Sequence, residues 1–160
     1  MRLLKHLLTP HWLALRAFPS RALREIEAAI KASERLHDGE LRFAVEATLP
    51  LQFLRTTTRK RAEALFGQLG VWDTAHNSGV LIYVQLVDRR IEIVADRGIS
   101  AKVEQSEWNA ICREMEQSFK QGQYGEGALR AIEAITRLLA RHFPPRGRNP
   151  NELPDKPVVL

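Results

Sequence analysis

Several things are scarce in this chain of 160 residues. It has one cysteine, Cys112, so neither an intrachain disulfide nor a multi-cysteine zinc cluster can form. Cys112 falls in an apolar helical stripe and reads as a small buried hydrophobe rather than a nucleophile. A lone thiol fits a reducing compartment. No apolar run approaches the ~18 residues that a membrane-spanning helix needs. Aromatic residues make up only 7%, and none is interleaved with the basic clusters as a base-stacking platform requires. Nucleic-acid binding is therefore not expected, despite a net charge of +5 and a pI near 9.8.

Acids are missing from the first 24 residues, which carry Arg2, Lys5, Arg16, Arg21 and Arg24. Lys5, His6, Pro10, His11 and Arg16 interrupt the leucine-rich start, and no small-residue cleavage site follows, so it does not read as a secretory signal. Residues 1–19 are expected to form an amphipathic segment, packed on the protein's own body in preference to a membrane surface. Arg55, Arg59, Lys60 and Arg61 form a second basic cluster, read as a solvated helix face.

What is present is a full set of α/β signals. Ser20 is placed as an N-cap, and Leu23, Ile26 and Ile30 recur at helical spacing up to His37-Asp38-Gly39, where Gly39 suits a left-handed cap. Leu41, Phe43, Val45, Ala47 and Leu49 alternate with Glu40, Arg42 and Glu46 as a strand. Thr57 or Thr58 caps a helix that Gly70 stops. Val80 to Val87 is almost continuously apolar, the pattern of a central strand buried on both faces. Asp88-Arg89 turns the chain into a third strand, Arg90 to Asp96. Two amphipathic helices follow, Glu104 to Lys120 and Tyr124 to Phe143, with Gly122 between them. Trp72 and Trp108 read as core anchors. Residues 144–160 read as an extended tail.

This order predicts a three-layer α/β/α sandwich around a small mixed sheet, a parallel pair plus an antiparallel hairpin. The crossover makes the first two strands parallel, and the hairpin returns the third strand to their starting edge. One end of the sheet is thus expected to collect His37, Asp38, Glu40, Asp73, Thr74, His76, Asn77, Ser78, Asp96 and Arg97. Carboxylate and amide oxygens at Glu40, Asp73, Asn77 and Asp96 suit a hard divalent cation such as calcium, with Thr74, His76 and Arg97 as further binding residues. The competing reading keeps Asp73, Thr74 and Asn77 as turn residues that cap their own backbone.

A set of short motifs carries a family resemblance. Gly39-Glu40 opens the first strand, and Asn77-Ser78-Gly79-Val80-Leu81-Ile82 opens the second. Asp88-Arg89-Arg90-Ile91-Glu92-Ile93 makes the hairpin, Asp96-Arg97-Gly98-Ile99 follows, and residues 119–127 link the last helices. In order and spacing they resemble the TPM domain family over residues 20–143. The resemblance implies an α/β/α sandwich, calcium at acidic loops in some relatives, and acid phosphatase activity in a plant thylakoid relative. It also implies a membrane partner, since some bacterial relatives are encoded beside LemA-family proteins. Many bacterial relatives carry a signal and a membrane anchor. Neither is read in this sequence, so the expected location is cytoplasmic, with peripheral membrane contact through the basic N-terminus. The resulting expectation is a non-enzymatic, cation-binding interaction module. The alternative is a metal-dependent phosphatase in which Asp73 and Asp96 position a metal or water and Arg97 holds phosphate.

Overall fold

A computed structural model describes residues 2–148 and 150–160. Its elements are α1 (Arg2–Leu8), α2 (Leu13–Ala17), α3 (Ser20–Ser33), β1 (Glu40–Glu46), α4 (Thr58–Gln68), β2 (Gly79–Gln85), β3 (Arg90–Ala95), α5 (Arg97–Ser100), α6 (Gln105–Lys120), α7 (Tyr124–His142) and β4 (Val158–Val159). They form an α/β fold on one sheet of order β3-β2-β1-β4. β1 runs parallel to β2 with Glu40 opposite Gly79, and β2 runs antiparallel to β3 with Val80 opposite Ala95. The expected mixed sheet is therefore present, with a fourth strand the sequence did not announce.

Side-chain alternation gives the sheet two unlike faces. Leu41, Phe43 and Val45 of β1 join Val80, Ile82 and Val84 of β2 beneath α3, α6 and α7 in one apolar core. Phe18, just after α2, anchors it and stacks edge-on to Phe43, Phe119 and Tyr124 at 5.5, 5.8 and 5.9 Å. Between α3 and α7 lies a buried polar relay. Gly39 N–H donates to His37 Nδ1 at 3.1 Å, so His37 Nε2–H donates to Ser33 Oγ at 2.8 Å. Burial holds His37 down to about 4.

The other face is smaller and carries charge. Ala44, Leu81, Tyr83 and Val94 pack against Ala62 and Leu65 of α4 and Leu153 of the tail. Among them Arg61 grips Glu46 with both arms, at 2.6 and 3.1 Å, and Tyr83 Oη donates to the same carboxylate at 2.5 Å. Arg61 also lies over the Phe53 ring. The reading of Arg61 as a solvated charge is corrected here: it is buried because its carboxylate partner is.

The tail is extended, as read, and it is also docked. Arg42 Nη1 donates to the carbonyls of Pro154 and Lys156, Leu153 is buried, and Leu160 N–H donates to Val45 O at 2.9 Å. β4 thereby covers the open edge of β1, where an unpaired edge would invite aggregation.

Two local expectations shift. α3 ends at Ser33 with Glu34 as its C-cap rather than at Gly39; residues 34–39 form the loop that seats His37. Left-handed glycines do end α4 and α6, at Gly70 and Gly122. Trp72 is 57% exposed, whereas Trp108 is buried as read.

Candidate functional site

Backbone hydrogen bonds knit three chain segments together at one end of the sheet. Glu40 N–H donates to Ser78 O at 3.0 Å, Asp96 N–H to Gly79 O at 2.9 Å, and Gly98 N–H to Asn77 O at 3.1 Å. The loop before β2 is shaped locally. Ser78 N–H donates to Thr74 Oγ1 at 2.9 Å, and Asn77 takes φ 50°, a region asparagine tolerates better than most residues. Gly98 must approach that loop closely: a Cβ there would sit 2.5 Å from His76 O and 2.6 Å from Asn77 O. On the far side of the contact, Asp96 Oδ1 accepts from Arg97 N–H at 2.7 Å and starts α5.

Beside these loops lies a cleft of about 210 Å³ lined by Asp38, His76, Ser78, Gly98, Lys102, Phe143 and Arg146. Its charges are partly engaged. Asp38 accepts from Arg146 N–H at 3.2 Å, with the Arg146 guanidinium 3.7 Å away. The Lys102 ammonium lies 4.8 Å above the Phe143 ring. Lys102 and Arg146 were not among the residues read from sequence. Lys102 could have been, since it follows Asp96 by six residues on the same edge. Arg146 lies beyond Pro144-Pro145, in what read only as tail.

The sequence-read residues divide into two environments. The backbone bonds above bring the segments of Asn77 and Asp96 together, Thr74 is tied to Ser78 within the first of them, and His76 joins the cleft. Asp73 and Arg97 are exposed on the same loops. Glu40 belongs elsewhere: it is 1% exposed, and its Oε2 accepts from Leu153 N–H at 3.2 Å beneath the tail. Burial pushes its carboxyl up to about 7, with Glu152 and Asp155 adding to the rise. Thr74 spends its hydroxyl oxygen on Ser78, as the turn reading predicted.

Donor chemistry decides what a calcium ion would find. Asp96 Oδ2 is buried without a hydrogen-bond partner among the described residues, so it fits one oxygen ligand. Glu40 Oε1 is likewise without a partner among the described residues, but Glu40 lies beneath the tail, where burial raises its carboxyl and suits a proton better than a cation. Among the described residues no group of three or more His, Cys, Asp or Glu is arranged to hold a metal. An ion at the loops would therefore rely on Asp96 and on water, with Asp73 and Asn77 of the preceding loop as the further oxygen donors. Thiol chemistry has no support, because burial pushes Cys112 up to about 12.

Fold and loop end together define a single α/β/α domain whose open polar residues gather where β2 begins and β3 ends. The TPM domain family model matches residues 17–138, and the chain belongs to that family. The NMR structure of the BA42 protein from the psychrophilic bacterium Bizionia argentinensis is similar at 29% identity, covering 88% of this chain and 94% of that one with a TM-score of 0.79. The solution structure of the N-terminal domain of a P. gingivalis protein is 18% identical, with 88% and 95% covered and a TM-score of 0.66, a likeness in fold alone. No curated protein matches the chain. Among the described residues no helix is long and apolar enough to cross a membrane.

Proposed function

We propose that this TPM domain is a non-enzymatic binding module whose working surface is the loop end, and that a divalent cation is held there by Asp96 with Asp73 and Asn77. All-oxygen donors favour calcium. The observation that carries the reading is Asp96 Oδ2, a buried oxygen without a hydrogen-bond partner among the described residues; a cation would satisfy it. The charged loop end would then meet a membrane-associated partner, for which the resemblance supplies the LemA-family class. Calorimetric titration of chelator-treated full chain tests the cation. Heat saturating on the order of millimolar calcium, lost in Asp96→Asn, is expected. No heat, or unchanged heat in that variant, overturns the reading.

A metal-dependent phosphatase is the second reading. It is favoured by Lys102, Arg146 and His76 in the cleft, groups that suit a phosphoester. Hydrolysis of p-nitrophenyl phosphate that needs a divalent cation and is lost in Asp73→Asn would support it. Absence of turnover, or turnover unchanged in that variant, would exclude it.

A further inference from the structure

The opposite end of the sheet carries a surface that the proposed function does not use. α1 is docked by its polar side. Arg2 donates to the Asp88 carboxylate at 2.6 and 3.1 Å and to the carbonyls of Leu54 and Thr56 at 3.1 and 2.8 Å. His6, one turn on, lies 3.1 Å from Asp88 and accepts Leu49 N–H at 3.0 Å. Asp88 sits in the β2–β3 turn, so this clamp fastens α1 to the hairpin end. Five apolar residues of this segment are left outside: Leu4 is 60% exposed, Leu7 59%, Leu8 73%, Trp12 56% and Leu15 52%. Leu51, between the backbone groups that α1 holds, is exposed as well. An ordinary surface helix turns its apolar stripe inward; here Leu4, Leu7 and Leu8 face out, and the part-buried contacts of Arg2 and His6 with Asp88 fix that orientation.

We propose that this face docks the domain on an anionic lipid bilayer. Charge selects the occupant. Lys5, His11 and Arg16 stand exposed among the apolar side chains, and no acid occurs in residues 1–24. Two copies meeting through this face would set Lys5 and Arg16 against like charges. Anionic headgroups supply the opposite charge, and the acyl boundary receives the leucines, while tryptophan suits the interface. The cation reading and this one occupy opposite ends of the sheet, so either can fail alone.

Co-sedimentation with vesicles tests it, using the full chain with phosphatidylcholine alone and phosphatidylcholine mixed with phosphatidylglycerol. Binding to the mixed vesicles is expected, falling with salt and falling on the order of tenfold or more in a Leu4→Ser, Leu7→Ser, Leu8→Ser variant. Lys5→Glu with Arg16→Glu removes the charge without touching the leucines and should weaken binding to the mixed vesicles. Tryptophan emission should shift blue on the same vesicles, and Trp12→Phe should abolish the shift while Trp72→Phe keeps it. Wild type that does not pellet, or pellets equally in both variants, overturns the proposal. A wild-type dimer that the leucine variant disrupts, with no vesicle binding, overturns it in favour of a second copy.

Discussion

Glu40 and Asp96 begin from the same place in the topology and end in different chemistry. β1 starts and β3 finishes at one end of the sheet, joined through the first residues of β2. Glu40 nonetheless points to the tail-covered face, where one oxygen accepts a backbone N–H, the other has no partner among the described residues, and burial raises the carboxyl to about 7. Asp96 leaves the sheet at the loops, gives one oxygen to α5, and keeps the other without a partner among the described residues. Connectivity sets which end a residue reaches; side-chain alternation and the covering segment set which surface it joins. Charge under α4 and the tail is buried, whereas Asp73 and Arg97 at the loops are exposed.

The largest effect expected from that contrast is under α4. Arg61→Ala strips Glu46 of its buried partner and should cost about 3–5 kcal/mol in denaturant unfolding. Replacing the pair by Met and Leu together with Tyr83→Phe should recover most of that loss, because the penalty lies in the stranded charge. Failure to recover would mean that the pair does more than satisfy itself.

Leu153→Ala, which empties the tail's buried anchor, should cost about 2–5 kcal/mol. Hydrogen exchange should then quicken at Val158 and Leu160 before it quickens in β2. Uniform quickening would show the tail to be part of the main cooperative unit.

The pH response should carry the same contrast. Glu34, bonded to Leu41 N–H, is pushed up to about 9 by burial, and Glu40 to about 7, both from 4.5. The folded state keeps these protons where the unfolded chain has lost them, so stability falls as pH rises from about 4.5 through 7 and on to 9. His37, lowered from 6.5 to about 4, works in the other direction: stability is gained as pH rises across that window. Glu34→Gln with Glu40→Gln should raise the melting temperature at pH 9 and leave it nearly unchanged at pH 5. An equal shift at both values would detach the effect from titration.

Smallest is the cap. Asp96→Ala should cost about 1 kcal/mol, the usual worth of an N-cap, and leave the tail face undisturbed.

Much of this was readable from the residues. The near-continuous apolar run of β2 marked a central strand, and the crossover put Asn77 beside Asp96, as the Gly98–Asn77 bond bears out. Other features depend on partners distant in sequence. Arg61 looks solvated until Glu46 and Tyr83 are placed under α4. Glu40 looks like a loop ligand until Leu153 arrives 113 residues later. β4 is two residues long in a proline-rich stretch, too short to show a period. Leu4, Leu7 and Leu8 have helical spacing, but only the clamp on Asp88 reveals which way they face.

The measurement that bears most directly on the loop end is a calcium titration of the isotope-labelled full chain followed by amide NMR. Shifts confined to residues 73–78 and 96–98, with Glu40 and Leu153 still, are the predicted result. Shifts centred on Glu40 and the tail, or none at all, would contradict the division between a structural face and an open one.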